Sequence, residues 1–570
     1  MTKIRQIRRF LGQLYEPEVV DSLAQRIEGR LAHIKPKLER PQRWSPDDVL
    51  LIAYADSIKD DNEYPLQSLR RFLKAHFDEL ISIVHLLPFF PYTSDDGFAV
   101  SDYRAVGEEH GRWEDIDGLS QDVSLAFDLV INHASSSHPL FRHFLENRAP
   151  GNAYFLTGSP DDDISDVTRP RATALLQPYE TTRGIEHVWC TFSRDQVDWD
   201  FSNPDVLYHF IDVFLFYIER GATWIRLDAI AYLWKQLGTS CIHLPQTHAA
   251  VKLLRAIAES ISQDIKILTE TNVPSQENLS YFGDGDEAHI IYNFTLPPLV
   301  IYALVTGSSQ HLTQWCQALP ALPDGCTYLN FTASHDGIGL RPVEGIIDDS
   351  DLQQFTDCME QFGGQLTLRT KPDGRLSPYE VNISLFDALQ GDLNGPDSWQ
   401  VERFIASQAI MLAFQGVPAL YYATLLAAPN NLEGLRETGR ARTINRRKWH
   451  MDEIKERWAD TNGAPAQVLT GLKALLGVRR GRAAFHPEAQ QTCMSAGPNV
   501  FVLRRDATDN TDSVLCIFNL NNSEVVIDRK SLQLPETTRL VSLYKQGEFT
   551  HSPQRLRCSP YAVGWFELAN

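Results

Sequence analysis

The chain contains no apolar run of the roughly 18 residues that a membrane-spanning helix needs, which argues against a helical membrane protein. Its basic start, Met1-Thr2-Lys3-Ile4-Arg5-Gln6-Ile7-Arg8-Arg9-Phe10, is not followed by an apolar segment, so no secretory leader is expected. Cysteine is sparse and unpatterned. The eight residues Cys190, Cys241, Cys316, Cys326, Cys358, Cys493, Cys516 and Cys558 form no CxxC pair and have no histidine at zinc spacing. They are expected to be reduced, mostly buried thiols of a cytoplasmic protein. Positive charge is also short. A formal net charge of −20 opposes a nucleic-acid partner, because the average surface would repel a phosphate backbone. An anionic small molecule is compatible with it and needs only a local basic pocket, since charges beyond about 10 Å are screened. Internal repeats and low-complexity tracts are lacking. What remains, 43% hydrophobic and 22% charged over 570 residues, is the composition of a folded globular chain too long for a single core.

Along the chain, Leu11, Leu14, Val19, Val20, Leu23, Ile27, Leu31 and Ile34 recur at helical spacing, which predicts one or two amphipathic helices in residues 1–45, packed as an appendage. From residue 49 apolar strands alternate with helical segments, the pattern of a βα repeat with a parallel sheet. The alternation lapses over 134–200 and again over 337–394, too long for ordinary connecting loops, and the second lapse holds the turn signal Pro372-Asp373-Gly374. Beyond about Phe485 the chain becomes strand-rich, with runs at 499–504 and 513–518, so 481–570 is expected to be all-β.

Four apolar runs stop on polar or charged residues. Residues 221–229 end on Arg226 and Asp228, 265–270 on Glu270, 328–336 on His335-Asp336, and 125–133 on Asn132-His133. Charge at the end of a buried strand costs free energy unless it is paired or used. A structural ion pair satisfies that for one strand, and so does a catalytic role. Four in chain order are hard to assign to packing.

These four segments resemble, in order, the signature regions of the α-amylase superfamily, glycoside hydrolase family 13. Thr93-Ser94-Asp95-Asp96-Gly97-Phe98, Thr239-Ser240-Cys241, Leu296-Pro297-Pro298-Leu299 and His335-Asp336-Gly337-Ile338-Gly339 resemble its sucrose phosphorylase subfamily, and the likeness runs from about Trp44 to about Trp449. The resemblance implies an α/β fold: a (β/α)8 TIM barrel over 46–480, with the insertions at 134–200 (domain B) and 337–394 (a lid or acceptor region) on its catalytic face, and 481–570 as a C-terminal β domain. It implies Asp228 as nucleophile, Glu270 as general acid/base and Asp336 as transition-state stabiliser. Retention needs two carboxyl groups about 5 Å apart. Arg226, two residues before Asp228 and so on the same face of the strand, is expected to hold Asp228 ionised and lower its pKa. Glu270 is expected in a less positive and drier setting. In the donor subsite the resemblance places His133 and His335 on glucosyl hydroxyls, Asp95 and Arg442 around the 4-hydroxyl, Phe98 as an apolar platform and Gln196 as a further contact. Asn132 stands where many amylases bind calcium, but the clustered acids of a calcium site are not evident, so no metal and no cofactor are expected.

A phosphorylase must receive an oxyanion where its leaving group departed, so it needs arginines and hydroxyls at the mouth of the site. Arg169, Arg171 and Tyr379 match the phosphate-binding positions of the subfamily. Where sucrose phosphorylases carry an Asp-Leu pair before that tyrosine, this chain has Ser377-Pro378. The lost acid and the nearby bases Arg341, Arg369, Lys371 and Arg375 suit an acidic aglycone. The longer N-terminal region and the stretch from Gly363 to Tyr379 are similar to the branch that contains glucosylglycerate phosphorylases. The implied reaction is reversible transfer of an α-glucosyl unit from 2-O-(α-D-glucopyranosyl)-D-glycerate to inorganic phosphate, the co-substrate, by a monomer or homodimer with small-molecule partners only. A sucrose, sucrose 6-phosphate or glucosylglycerol phosphorylase and an α-glucoside hydrolase are the alternatives in the same fold. A non-catalytic amylase-like binding protein is the alternative outside catalysis, and against it all three carboxylates are present.

Overall fold

The computed structural model describes residues 3–35, 43–171, 173–370, 376–535 and 537–569. Eight parallel strands close into a barrel: β1 (Leu50–Ala53), β2 (Ile83–Leu86), β3 (Ser124–Leu129), β4 (Ala222–Leu227), β5 (Lys266–Thr269), β6 (Ile290–Tyr292), β7 (Thr327–Asn330) and β8 (Val417–Tyr421). Each pairs with its successor, and β8 returns to β1 with Leu50 opposite Ala419 and Leu51 opposite Leu420. Helices cover the outside and side chains fill the inside, which is why these strands read as continuous apolar runs.

Two of those runs overshoot their strands. The third leaves the barrel at Leu129; His133–Ser135 is a separate strand that pairs antiparallel with Gln196–Asp198 from the first insertion. Likewise residues 288–294 are all buried, but the strand covers only Ile290–Tyr292. Burial continues past the last ladder hydrogen bond in both cases, and hydrophobicity reports burial, not pairing.

The first insertion carries a three-stranded sheet of Thr157–Gly158, Leu176–Thr181 and Gly184–Trp189. The second carries a sheet of Ile338–Gly339, Gln365–Thr370 and Leu376–Asn382, with helix Asp349–Gln361. They follow β3 and β7, at the carboxyl ends of the barrel strands. The Pro372-Asp373-Gly374 turn lies outside the described residues.

Helices α1 (Lys3–Leu11) and α2 (Pro17–Leu31) bury Ile7, Phe10, Leu11, Leu23 and Ile27. The Arg30 guanidinium forks onto Glu219 at 2.9 and 2.6 Å and reaches Asp212 at 2.7 Å, tying α2 to the barrel helix α3 (Pro204–Glu219). The predicted amphipathic segment therefore packs on its own barrel. At the other end of the chain, a five-stranded sheet runs in the order Gln490–Ser495, Val500–Asp506, Ser513–Asn519, Val563–Ala569, Arg539–Gln546, beside a three-stranded one. Two fully buried arginines join it to the barrel. Arg505 donates to the carbonyls of Ala413 and His486 at 2.9 Å, and Arg479 to Phe485 at 3.1 Å and to Pro46. No helix among the described residues is long and apolar enough to cross a membrane.

Candidate active site

Asp228 is the first residue after β4 and Glu270 the first after β5, so neighbouring strands deliver two carboxylates to one rim. The backbone locks them together. Glu270 donates its N–H to the Leu227 carbonyl at 3.1 Å, and Ala229, held at φ +47°, donates its N–H to Glu270 Oε2 at 3.0 Å. Asp336 arrives six residues after β7, in a loop clamped by the segment Ala441–Asn445 and its neighbour Arg446. Asn445 Nδ2 donates to the Asp336 carbonyl at 2.8 Å and Arg446 Nε to the His335 carbonyl at 2.7 Å, while Arg442 pairs with the Asp336 carboxylate.

Arg226 is buried at the centre of this group. One arm, Nη1, bonds both Asp128 and Asp228, the latter at 2.8 Å; the other, Nη2, faces Glu270 at 4.0 Å. Burial pushes the Asp228 carboxyl up to about 7, against the pull of Arg226 and with Asp128 adding to the rise. The sequence suggested the opposite direction. It fails because burial of the carboxyl outweighs the pull of Arg226, and Asp128, from the neighbouring strand, shares the same arm of the guanidinium. Burial also pushes Glu270 up to about 7, with Arg226 opposing and Asp228 adding. The short contact from Arg226 to Asp228, against 4.0 Å to Glu270, favours the ionised form of Asp228 over that of Glu270. Its setting is less positive, as expected, but not drier: its side chain is 14% exposed against 9% for Asp228. At Asp336 burial is outweighed by Arg442, His335 and Arg446, which hold the carboxyl well below the usual range.

A cleft opens over the pair. It is lined by Asp228, Glu270 and Asp336, by Asp95, Phe98, His133, Gln196, Arg226, His335 and Arg442, and by Arg171 and Tyr379. His335 stacks on Phe98 with centroids 4.9 Å apart and planes 5° from parallel. His133 Nε2 lies 3.0 Å from the Phe98 carbonyl and 3.1 Å from Gln196 Nε2. Asp95 and Arg442 share the cleft, but their charge partners differ: Arg442 forks onto Glu380 at 3.1 and 2.8 Å, and Asp95 lies 3.7 Å from Arg446. Arg171 sits over the Tyr379 ring, 5.7 Å from its centroid.

Arg169, Arg341 and Arg369 lie outside this lining. Arg369 is tied to Glu344 at 2.5 Å. Lys371 and Arg375 lie outside the described residues. Sequence reasoning missed Tyr232 and Asn272 on the cleft wall, Glu380 and Arg446 behind it, and His85 and Asp128 beneath it. The last two had a signal, a polar residue inside an apolar strand. Asn272 and Arg446 lie in loops, Tyr232 ends a single helical turn and Glu380 sits in the short insertion strand Leu376–Asn382, settings where polarity is ordinary.

Lys235 reaches Asn132 Oδ1 at 2.8 Å and Asp198 Oδ2 at 3.1 Å, so an ammonium already sits on the oxygens that a cation at Asn132 would use. Among the described residues no cluster of three or more histidine, cysteine or acidic side chains is placed to hold a metal.

Two carboxylates on adjacent strand ends, a third held by arginines beyond a later strand, and one cleft over all three define a sugar-processing barrel enzyme. The catalytic-domain model of the alpha-amylase family matches residues 80–336, and the chain belongs to that family, glycoside hydrolase family 13. Within it, the chain is 41% identical over 533 residues to the glucosylglycerate phosphorylase of Spirochaeta thermophila, covering 92% of this chain and 90% of that one. It is 38% identical over 567 residues to the glucosylglycerate phosphorylase of Escherichia coli, covering 99% and 100%. Among solved structures, the sucrose 6F-phosphate phosphorylase of Thermoanaerobacter thermosaccharolyticum superposes with a TM-score of 0.73 at 26% identity, covering 84% of this chain and 94% of that one.

Proposed function

We propose that the chain is a retaining glucosylglycerate phosphorylase: glucosylglycerate and inorganic phosphate give α-D-glucose 1-phosphate and glycerate, reversibly. Asp228 attacks the anomeric carbon while Glu270 protonates the departing glycerate oxygen. Phosphate then attacks the glucosyl-enzyme, giving a proton to Glu270 and freeing Asp228. Asp336, pinned by Arg442, stays anionic through the cycle and offsets the positive charge that develops on the ring. The chemistry uses these side chains alone, with phosphate as co-substrate and no cofactor. His133, His335, Asp95 and Gln196 hold one glucosyl unit, with Phe98 under it.

The observation that carries the reading is that Arg171 and Tyr379 line the same cleft as the two carboxylates. A cation and a hydroxyl at the mouth favour an oxyanion over water as the second nucleophile. The acceptor assignment is supported by the two relatives at 41% and 38% identity and by the Ser377-Pro378 replacement. Eight free thiols suit a reducing cytoplasm, where the enzyme is proposed to act as a monomer or homodimer.

The test is release of glucose 1-phosphate from glucosylglycerate and from sucrose, side by side in phosphate buffer, with Asp228→Asn as blank. Turnover of glucosylglycerate alone is expected. Turnover of sucrose alone would overturn the acceptor assignment, and free glucose without phosphate dependence would overturn the phosphorylase reading.

A further inference from the structure

His85 lies in β2, fully buried, and neither the cleft nor the proposed chemistry uses it. Its Nε2 is 2.7 Å from Asp128 Oδ2, and its Nδ1 has no hydrogen-bond partner among the described residues; facing a carboxylate oxygen, Nε2 is the nitrogen that donates. Asp128 sits directly across the β3–β4 ladder from Arg226 and gives that residue its other oxygen, Oδ1. Arginine pairs with a carboxylate most readily as a fork, with two N–H groups on two oxygens. Here the fork does not form, because His85 holds the second oxygen.

The geometry points to His85 as a positioning residue for the catalytic pair: by occupying Asp128 Oδ2 it keeps Arg226 from closing both arms on Asp128, so that one arm stays on Asp228 and the other faces Glu270. This rests on the reading of Asp228 and Glu270 as the reacting carboxylates. Arg226 is faced by Asp128 from β3, Asp228 beyond its own strand, Glu270 beyond β5, Tyr292 from β6, and His335 and Asp336 from the loop after β7. Of these, Asp128 alone competes for the arm that holds Asp228.

Two substitutions then move the pH profile in opposite directions. With His85→Phe, Asp128 Oδ2 is free and draws the fork; Asp228 loses cationic support, and the acidic limb of kcat/KM moves up by about one pH unit, with kcat down about tenfold. With Asp128→Asn the competing anion is gone, Arg226 acts undivided on Asp228, and the acidic limb moves down. His85→Gln keeps an N–H donor near Nε2 and brings the limb back towards the wild-type position.

The measurement is the pH dependence of kcat/KM with α-glucosyl fluoride, an activated donor that needs no leaving-group recognition, so a wrong acceptor assignment does not affect it. Circular dichroism checks that each variant is folded, and an inactive Asp228→Asn checks the underlying reading. Opposite shifts, with rescue by His85→Gln, are expected. A folded His85→Phe with an unmoved limb overturns the proposal; should His85→Phe not fold, an Asp128→Asn limb that stays or moves up overturns it equally.

Discussion

Glu270 illustrates what a buried acid costs. Its carboxyl is raised in the fold from an ordinary value near 4.5 to about 7. Protonated, it is tolerated in its buried position; ionised, it is not. The stability it permits is fully present below its unfolded pKa and is lost as pH rises through about 7. Glu270→Gln is therefore expected to abolish turnover of glucosylglycerate yet unfold at higher denaturant concentration than the wild type at pH 8, by on the order of 2–3 kcal/mol. At pH 4 the two should coincide, and equilibrium unfolding in urea at both values checks it. A variant no more stable at pH 8 would mean that the carboxylate is better solvated than its position implies. The identity of such residues was legible in sequence, because a carboxylate closing an apolar run is conspicuous. The direction of the Asp228 shift was not: it is set first by burial and then by Asp128, one hundred residues earlier, and both arise only when the barrel closes.

Among the elements, the turn before Phe98 does most to shape the donor end of the cleft. Asp95, Asp96 and Gly97 have φ of 54°, 48° and 109°, three left-handed residues in succession. Arg446 holds the turn from behind, 2.6 Å from Asp96, and a Cβ on Gly97 would lie 2.5 Å from the Pro88 carbonyl oxygen. Gly97→Ala should cost about 1–3 kcal/mol through backbone strain. Because Asp95 and Phe98 flank the strained residue, KM for the glucosyl donor should rise at least severalfold while kcat changes less. Steady-state kinetics separates the two, and an equal fall in kcat with unchanged KM would show that the turn does not shape the ground-state site. The turn was visible in sequence only as a motif carried by resemblance; nothing in Asp95-Asp96-Gly97 announces two left-handed aspartates. The barrel strands were legible for the converse reason, since burial on both faces leaves a run that period and length identify. Their ends were not, as β3 and β6 show.

At the scale of the whole molecule, the barrel and the C-terminal sheet meet around Arg505 and Arg479. Burial pulls both guanidinium pKa values down, Arg505 to about 9 and Arg479 to about 10. Neither forms an ion pair among the described residues; both spend their donors on backbone carbonyls, Arg505 on that of Ala413, the last residue of helix Gln400–Ala413, where the helix dipole favours a cation. Arg505→Met leaves several buried carbonyls unpaired and should lower stability by on the order of 3–5 kcal/mol. Limited proteolysis around residues 486–490 should then become faster than in the wild type, and an unchanged digestion rate would show that apolar contacts alone hold the junction. No local pattern revealed this role: an arginine inside Val500–Asp506 reads as a surface residue of an ordinary strand. Lys235 carries a consequence of another kind. By placing a tethered ammonium on Asn132 and Asp198, this chain gives the join between His133–Ser135 and Gln196–Asp198 a counter-charge that no chelator removes and no substrate titrates away.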